Sequence, residues 1–517
     1  MNFRKTLLLL APLFVIQIAL YHRAFGIKPA SDDFPVVHEI LRGNEFGPTI
    51  FFKQSHTGMH YRPFKALSIW AFGQISDQNR VFWIRVLHFI GMSGYLLVLA
   101  LWLSRMNLSA VGCAVAGAVF LFHPVLPQAL GSIDGIDGIA ASALIWLGAW
   151  FALIWRDRIV GALIATMICF VLAAGWKEYS FTIVPLATWT AICFGGKNRW
   201  RNAGVLFAAL VVVFAGVLVV RQIAMPSGFG AVRGMNYVAL NPVQWVVNAA
   251  VMTTGLLFFG NSIWVFVHQS PAVLSIVGLC VMLAFGWIVL GLLPLKQDSR
   301  RIWILFLFGS FFAASFPENV IFHFSEMYLS PLLLPLALLC GLAWEGWRTK
   351  PKPIRCIAMG LAIAALVSSM ITIHAKIEGL RNVGERAENQ MRQVLALLPA
   401  NAHDVKVAML FDPAELPPRR TYAVYRMGDE VLVVHAVAFD WLVPQRHLTL
   451  GSFVLGDPEF HPKDWDFIYL WDARKQQFAP WHQPATTSSS FDFHRRAQNS
   501  AAKGLASSFP TSPIDGS

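Results

Sequence analysis

The sequence predicts an all-α, polytopic membrane protein with about eleven transmembrane helices, followed by a small extracytoplasmic α+β domain. First, 56% of its 517 residues are hydrophobic and only 14% are charged, whereas soluble domains carry about a quarter charged residues. Second, apolar stretches long enough to cross a bilayer recur through the first three quarters of the chain. Third, the basic residues lie mainly in short clusters between those stretches, as they do in the cytoplasmic loops of membrane proteins.

The distribution of basic residues also excludes one class of partner. A net charge of +12 would suit nucleic acid if the Lys and Arg side chains formed one continuous patch. They are instead divided among many short segments between apolar stretches. We therefore expect membrane lipids around the protein and no nucleic-acid partner.

The N-terminal segment has Arg4 and Lys5 followed by an apolar stretch that ends near Leu20. A secretory signal peptide begins in a similar way but is followed by a small-x-small cleavage site. No such site clearly follows here, and many further apolar stretches come after it. The segment is predicted to be an uncleaved first helix with its N-terminus in the cytoplasm.

Apolar stretches of transmembrane length predict the crossings in chain order. They are residues 5–21, 82–103, 109–124, 137–155, 158–175, 178–195, 203–221, 271–294, 302–316, 329–346 and 356–374. The main basic clusters begin at Arg105, Arg156, Lys197, Lys296 and Arg348. Each cluster falls in the cytoplasm if the N-terminus does. The expected location is the bacterial inner membrane, with several passes and an extracytoplasmic C-terminal domain.

One further apolar stretch, residues 246–267, does not fit this order as a single crossing. Every later basic cluster would then change sides, so we expect the stretch to be re-entrant, interfacial or a hairpin. The extracytoplasmic side then receives 22–81, 125–136, 175–180, 222–270, 316–328 and the chain after about residue 375. All candidate site residues lie on or close to that side.

The composition changes after Thr372, and this change sets the predicted domain boundaries. A charged amphipathic stretch covers 376–398, and short β-like runs follow at 405–411, 431–439 and 466–470. We predict a transmembrane domain of residues 1–375, a small extracytoplasmic domain of residues 376–484, and a disordered tail, rich in Ser, Thr, Pro and Ala, of residues 485–517.

The first outer loop carries two adjacent carboxylates, Asp32 and Asp33, just after the first apolar stretch. Such a pair can act as a general base, hold a divalent cation, or cap the following helix. His60 and Arg62 lie at the end of the same loop. Spacing alone leaves these roles open, but ionisable groups beside a membrane are unfavourable unless they are paired or used.

Other ionisable side chains lie at the ends of further apolar stretches on the same side. They are His123, Asp134, Asp137, Lys177, Glu178, Glu318, His323 and Glu326. Each has a simpler interpretation: Lys177 and Glu178 can neutralise each other, and Asp137 can lie at the positive end of a helix. His123 can be an interfacial residue where a helix stops. Capping explains single residues better than it explains the whole set, so the set predicts a shared site.

In their order along the chain, these residues resemble the GT-C superfamily of polytopic glycosyltransferases. The motifs are Asp32-Asp33, His60-x-Arg62-Pro63, His123-Pro124 with Asp137, Lys177-Glu178, and Glu326-x-Tyr328-Leu329. Within the superfamily, the chain is similar to protein O-mannosyltransferases, including those with tetratricopeptide repeats, and to bacterial enzymes that use lipid-linked sugars. The resemblance covers residues 1–375 and rests on the order and shared sidedness of the motifs.

The resemblance implies inverting transfer of a hexose or pentose from a polyprenyl-phosphate donor to a lipid, glycan or protein acceptor outside the cytoplasm. It places Asp32 as the catalytic base, with Asp33 as the adjacent alternative. The residues expected near the donor phosphate are His60, Arg62, Lys177 and His323. Further site candidates are His123, Asp137, Glu178, Glu326 and Tyr328. Some members bind a metal ion and others need none, so a divalent cation at Asp32, Asp33 and Asp137 is left open.

The chain departs from the superfamily pattern in two places that remove an expected cation. Met327 stands where the late Glu-Arg-Tyr motif has arginine, and His323, one helical turn before Glu326, is the expected substitute. Ile136 follows Gly135 where a glycine-arginine pair is usual. The C-terminal repeats of the similar proteins are also missing, which leaves a protein acceptor open.

Two other functions fit parts of the same pattern. A transporter or flippase would have intramembrane charges and often internal repeats, but the charges here lie at one membrane face and no repeated halves are visible. A glycan polymerase or ligase also uses lipid-linked sugars and more often depends on arginines in late outer loops. The loop 222–270 has Arg221 at its edge and Arg233 within it.

Overall fold

A computed structural model describes the greater part of the chain. The described residues are 2–30, 33–53, 61–76, 79–225, 231–232, 235–236, 241–260, 270–319, 326–412, 442–443, 446–457, 460–472 and 474–481. They form two compact units, one that extends to Glu388 and a second that begins at Asn389. The predicted tail, residues 485–517, lies outside the described residues.

The first unit is built from α-helices, as the sequence predicts. In chain order they are α1 Phe3–Leu20, α2 Asp33–Phe46, α3 Pro63–Gly73, α4 Arg80–Arg105, α5 Ala110–Leu121, α6 Leu126–Gly131, α7 Ile136–Ile154, α8 Ile159–Ala174, α9 Ile183–Phe194, α10 Arg199–Ala224, α11 Pro242–Leu257, α12 Pro271–Leu292, α13 Asp298–Asn319, α14 Ser330–Trp347 and α15 Lys352–Leu397. Two antiparallel strands of two residues each, β1 Ala231–Val232 and β2 Met235–Asn236, lie between α10 and α11.

Each of the eleven predicted apolar stretches lies on one of these helices. Among the described residues, seven helical segments are long and apolar enough to cross a membrane. They correspond to α1, α4, α7 with the preceding turn, α10 with the preceding turn, α12, α14 and α15. Two shorter apolar helices, α5 and α8, accompany them. The expectation of an all-α, multi-pass membrane unit is confirmed.

Helix α14 forms the centre of the bundle, because every residue from Ser330 to Trp347 is buried. It packs against α5, α12 and α13. Glycines permit the closest approaches: a Cβ on Gly346 would lie 1.7 Å from the Gly291 carbonyl oxygen of α12. Small residues at helix contacts are the usual means of close packing within a bilayer.

Aromatic side chains fill the core beside α14, and their polar atoms are satisfied by backbone carbonyls. The indole of Trp102 lies 5.6 Å from Trp146 and is stacked at 5.2 Å on Phe306. Trp102 Nε1 donates to the Trp146 carbonyl and Trp146 Nε1 to the Pro331 carbonyl. A buried N–H without a partner would be costly in an apolar interior, so these bonds fix how the helices meet.

Local sequence sets several helix starts. Ser109 accepts a hydrogen bond from Gly112 N and begins α5. Ser270 and Asn241 accept equivalent bonds from the first turns of α12 and α11, each with proline at the first helical position. These are the ordinary N-terminal capping arrangements, in which a side-chain oxygen satisfies an otherwise unpaired backbone N–H.

The stretch 246–267, whose crossing the sequence left open, is only partly described. Helix α11 covers Pro242–Leu257 and ends before Phe258. Residues 261–269 lie outside the described part of the chain. That the stretch is re-entrant, interfacial or a hairpin therefore stays a prediction.

The two ends of the bundle collect different loops. At one end, Asn202 Nδ2 donates to the Arg156 carbonyl, and the Arg156 guanidinium donates to the Phe194 carbonyl. At the other end, Phe64 N donates to the Gly175 carbonyl. The basic loops predicted to be cytoplasmic thus meet each other, and the loops with the candidate site residues meet separately.

The second unit contains a four-stranded sheet in the order β4-β3-β5-β6. The strands are β3 Lys406–Phe411, β4 Thr449–Val454, β5 Phe467–Asp472 and β6 Gln477–Pro480. Strand β3 pairs in parallel with β4 and β5, with Val407 opposite Leu450 and Phe467, and β5 pairs antiparallel with β6. The predicted runs at 405–411 and 466–470 are confirmed as strands, and 431–439 lies outside the described residues.

Helix α15 continues through the boundary predicted at residue 375 and ends at Leu397. Its final turns belong to the second unit, where Gln393 Nε2 donates to the Gln476 carbonyl and Gln393 Oε1 accepts from Phe478 N. The amphipathic pattern after Lys376 is therefore a continuation of the last membrane helix.

Candidate active site

Seven charged side chains meet at the end of the bundle where the first outer loop lies. We call them the charged cluster: Arg62, Lys65, Asp134, Asp137, Lys177, Glu178 and Arg221. They come from separate parts of the sequence, each at or near the end of an apolar helix. Direct ion pairs link four of the candidates named from the sequence, Arg62, Asp137, Lys177 and Glu178. That they serve one functional site stays a prediction.

Asp137 occupies the centre of the charged cluster and its side chain is fully buried. It lies in the first turn of α7, where the positive end of the helix favours a carboxylate. Its oxygens are 2.6 Å from Arg62 Nη1, 3.0 Å from Lys177 Nζ and 3.5 Å from Lys65 Nζ. One buried carboxylate thus holds three cations from two separate loops.

Arg62 joins the buried carboxylate of Asp137 to the partly exposed carboxylate of Glu178. Its Nε donates to both oxygens of Glu178 at 2.9 and 3.0 Å, while Nη1 reaches Asp137. The residue directly precedes α3, whose first position is Pro63. Burial alone would lower the pKa of Arg62, but the carboxylates of Glu178 and Asp137 together raise it well above its ordinary value. The guanidinium therefore stays charged.

The ammonium of Lys177 is in contact with two aromatic rings. Its Nζ lies 5.5 Å from the ring centre of Tyr179 and 5.3 Å from that of Tyr328, distances typical of cation–π contacts. The Tyr179 hydroxyl donates to the Gly138 carbonyl at 2.7 Å, which fixes that ring beside Asp137. The predicted candidate Tyr328 thereby joins the site as one wall around Lys177.

Sequence reasoning missed Lys65 and named Arg221 only as the edge of a loop. Lys65 contacts the carboxylate of Asp134 and lies in the first turn of α3, three residues after Arg62. Arg221, in the last turn of α10, contacts Glu178 and donates to the Tyr61 carbonyl. Burial would lower the pKa of Lys65, yet the carboxylates of Asp134 and Asp137 raise it.

The charged cluster has more cations than carboxylates. Arg62, Lys65, Lys177 and Arg221 face three carboxylates, which leaves one net positive charge. The side of the cluster toward solvent is formed by Glu178, 30% exposed, and Asp134, 18% exposed. The four cations are less exposed, at 4–12%, so an anion approaching from that side would meet these two carboxylates first.

Asp33 is close to the cluster but is engaged in holding a turn. Its Oδ1 accepts hydrogen bonds from Ser132 Oγ at 2.8 Å, Ile133 N at 2.7 Å and Asp134 N at 3.2 Å. Burial raises the pKa of this carboxyl, an effect that the Arg85 guanidinium opposes. Asp33 therefore holds the turn that leads into α7, whereas the capping role considered from the sequence was for the helix that follows Asp33 itself. The adjacent Asp32 lies outside the described residues.

A second charged group lies nearby and contains the predicted candidate Glu326. Both oxygens of Glu326 lie 2.7 Å from Lys376 Nζ, and the same ammonium donates to the Pro124 carbonyl at 2.7 Å. The predicted candidate His123 contacts the Leu256 carbonyl through Nε2 at 2.9 Å. Lys376 was seen in the sequence only as the start of a charged helix. His60 and His323 lie outside the described residues.

The described residues contain no group of three or more His, Cys, Asp or Glu side chains arranged to hold a metal ion. Asp137 is bound by cations, and Asp33 by a hydroxyl and backbone N–H groups. A divalent cation involving Asp32 stays a prediction.

An apolar cavity of about 560 Å³ lies beside the second charged group. It is lined by side chains of α1, α5, α12, α14 and α15, together with residues 257–260. Phe122, at its inner end, is followed by His123, and Ser369 on α15 lies two helical turns before Lys376. Lining residues such as Val111 and Ile363 are also exposed on the outside of the bundle, so the cavity opens sideways.

Comparisons with known proteins give a likeness among solved structures. No protein-family profile matches the chain, and no curated protein matches it. Among solved structures, the chain is similar to the crystal structure of ArnT from Cupriavidus metallidurans bound to undecaprenyl phosphate. The match has 12% sequence identity and a TM-score of 0.46, and it covers 85% of this chain and 89% of the other.

Proposed function

We propose that this protein is a membrane glycosyltransferase of the GT-C type, which transfers a sugar from a polyprenyl-phosphate donor to a lipid, glycan or protein acceptor on the extracytoplasmic face. The observation that carries the proposal is the charged cluster. Four cations converge around three carboxylates at one end of a membrane bundle, and they leave a net positive charge. Such an arrangement suits a leaving phosphate better than it suits a purely structural role.

The transfer step needs a base, a leaving group and a charge to stabilise that group. A carboxylate removes the proton of the acceptor hydroxyl. The hydroxyl oxygen of the acceptor then bonds to the anomeric carbon of the sugar, while the bond between that carbon and the phosphate oxygen breaks, with inversion at the carbon. The polyprenyl phosphate then leaves with its negative charge. In this proposal the cations of the charged cluster, above all Arg62, Lys177 and Arg221, stabilise the negative charge of the leaving phosphate.

The base is proposed to be Asp32, from the resemblance of the first outer loop to that of GT-C enzymes. The bonds of Asp33 support this choice over its neighbour. Three hydrogen bonds converge on Asp33 Oδ1, so that its removal would disturb the turn before α7. A general base must instead be able to reach the acceptor hydroxyl at hydrogen-bonding distance.

The isoprenoid chain of the donor is proposed to occupy the apolar cavity. Its lining consists almost wholly of aliphatic, aromatic and small side chains, and it opens sideways within the membrane-spanning part of the bundle. Phe122, one of its lining residues, directly precedes His123 and Pro124 in the chain. A lipid tail in this cavity would therefore bring its phosphate toward the polar end of the bundle.

The test is to purify the protein into liposomes, supply polyprenyl-phosphate sugars, and analyse donor and products by mass spectrometry. Asp32→Asn should abolish transfer. Asp33→Asn should retain most of it, because an amide oxygen can still accept from Ser132 and Ile133. Full activity of Asp32→Asn would remove the proposed base, and loss of activity in Asp33→Asn with unchanged thermal stability would move that role to Asp33.

The same assay separates the competing functions. One sugar added per acceptor supports a glycosyltransferase, whereas addition of a whole glycan chain would assign a polymerase or ligase. Movement of solute or lipid across the bilayer without any covalent product would assign a transporter or flippase and overturn the proposal.

A further inference from the structure

We infer that Lys376 is a positioning residue for the proposed transfer reaction. Through Glu326 and Tyr328 it fixes the position of the Lys177 ammonium. The inference rests on the proposed function and names a residue that lies outside the charged cluster. Lys376 belongs to α15, the last membrane helix, and its side chain is fully buried. Its ion-pair partner is Glu326, which is not a member of the charged cluster.

The contacts of Lys376 join three elements at one point. Its Nζ lies 2.7 Å from Glu326 Oε1, from Glu326 Oε2 and from the Pro124 carbonyl oxygen. An ammonium has three N–H donors, so these acceptors match its capacity. Glu326 begins a short 3₁₀ turn, Glu326–Leu329, and Pro124 belongs to the connection between α5 and α6.

A buried ion pair of this kind is poorly explained by stability alone. Desolvation of two charges offsets most of their attraction, and a well-packed apolar pair is often as stable. What the pair supplies is a defined position, since both carboxylate oxygens and one carbonyl are held by a single ammonium. The 3₁₀ turn is fixed again at its far end, where Tyr95 donates to the Ser330 carbonyl.

The fixed turn carries Tyr328, and Tyr328 reaches the charged cluster. Its ring centre is 5.3 Å from Lys177 Nζ, in addition to the contact at 5.5 Å that Tyr179 makes. Lys177 in turn lies 3.0 Å from Asp137. The contacts therefore run from Lys376 to Glu326, along the turn to Tyr328, and from its ring to Lys177. A shift of the turn would open one side of the Lys177 site.

Lys376 lies on α15, the helix that also lines the apolar cavity. Ser369 lines the cavity, and Lys376 follows two turns later on α15. The proposed lipid-binding helix is thus joined to the proposed phosphate-binding lysine through the buried Lys376–Glu326 ion pair, the turn that follows Glu326, and the ring of Tyr328. Loss of that pair should affect donor use rather than acceptor use.

The experiment is a double-mutant cycle on the full-length protein in liposomes. Lys376→Met and Lys177→Met are made singly and together, and kcat and KM are measured with a polyprenyl-phosphate sugar. Lys376→Met should lower kcat/KM for the donor by up to about 100-fold, the usual consequence of a small displacement at a reacting centre. In the Lys177→Met background it should cause no further loss, because its effect passes through Lys177.

Three further variants keep the result interpretable. Lys376→Met alone leaves the Glu326 carboxylate buried without its ammonium. The double variant Lys376→Met with Glu326→Gln removes both charges, so an activity loss that persists in it comes from the lost position of the turn and not from an unpaired buried charge. Arg381→Met, on the same helix but in an exposed ion pair with Glu385, should leave kcat/KM within about twofold. Lys376→Arg should restore part of the activity, because it keeps the charge.

The outcomes distinguish this inference from the proposed function. Losses that multiply in the Lys376→Met, Lys177→Met double variant would overturn the inference while transfer by the unaltered protein still supports the function. The same cycle is measured as binding of unsubstituted polyprenyl phosphate, which requires no turnover. If the unaltered protein neither transfers sugar nor binds this lipid, the proposed function fails and the inference fails with it.

Discussion

Asp137 is the central counter-ion of the charged cluster. It is fully buried, and three cations lie within 3.5 Å of its oxygens. Glu178 also binds two cations but is 30% exposed, so water can take over part of its role. The same chemical change at these two positions should therefore have different effects on stability.

Asp137→Asn is predicted to destabilise the protein by about 3–5 kcal/mol, because it leaves buried cations without their shared carboxylate. Glu178→Gln should destabilise it by no more than about 1 kcal/mol. Thermal or denaturant unfolding of both variants in the same detergent measures the difference. Equal losses in the two variants would show that Asp137 is not the central counter-ion.

At the scale of single residues, the sequence identified candidate side chains for the site but not which of them form pairs. Arg62, Asp137, Lys177 and Glu178 were identified because each is a charge at the end of an apolar stretch. Their pairing was not predicted, because Arg62 and Glu178 are 116 positions apart and the fold alone brings them together. Lys376 was overlooked for a related reason: its partner Glu326 is 50 positions away, and the surrounding helix is rich in charges.

Elements were predicted better than contacts, because a membrane helix is recognised from its own composition. All eleven apolar stretches lie on helices. The predicted boundary at residue 375 marks a change of composition and not the end of α15, which continues to Leu397. Strands β4 and β6 were missed for different reasons. Gly451 and Ser452 interrupt the apolar pattern of β4, and β6 has only four residues, too few for its alternation to stand out.

Helix α15 offers the test of the proposed lipid site. Ala365→Trp places an indole in the apolar cavity that Ala365 lines. We expect KM for a long-chain polyprenyl donor to rise about tenfold, equivalent to about 1.4 kcal/mol. That energy corresponds to about two methylene groups excluded from burial. Donors with one or two isoprene units should be unaffected, because they do not fill the cavity.

The matched control for this prediction is Ile371→Trp on the same helix. Ile371 is 66% exposed and does not line the cavity. Kinetics with the long-chain and short-chain donors should match those of the unaltered protein. A similar rise in KM for both variants, or for both donor lengths, would contradict the assignment of the cavity to the lipid tail.

At the scale of the whole molecule, the distribution of charge was the most informative property of the sequence. The order of basic clusters predicted which loops share a side, and the fold brings the loops of Arg62, Asp137, Lys177 and Arg221 together at one end. The loops of Arg156 and Asn202 meet at the other. Charge counting could give sides but no distances, so it predicted a shared site without its internal arrangement.

The predicted sidedness is testable by cysteine labelling of membrane vesicles. Lys53→Cys, in the first outer loop, and Asp157→Cys, beside Arg156, are introduced separately into a background with Cys280 and Cys356 changed to Ser. Both target side chains are exposed. Neither change opposes the charge rule, because one removes a basic residue outside and the other an acidic residue inside. An impermeant maleimide should label Lys53→Cys only in right-side-out vesicles and Asp157→Cys only in inverted ones. The opposite pattern would place the charged cluster in the cytoplasm, where an extracytoplasmic transfer reaction could not occur.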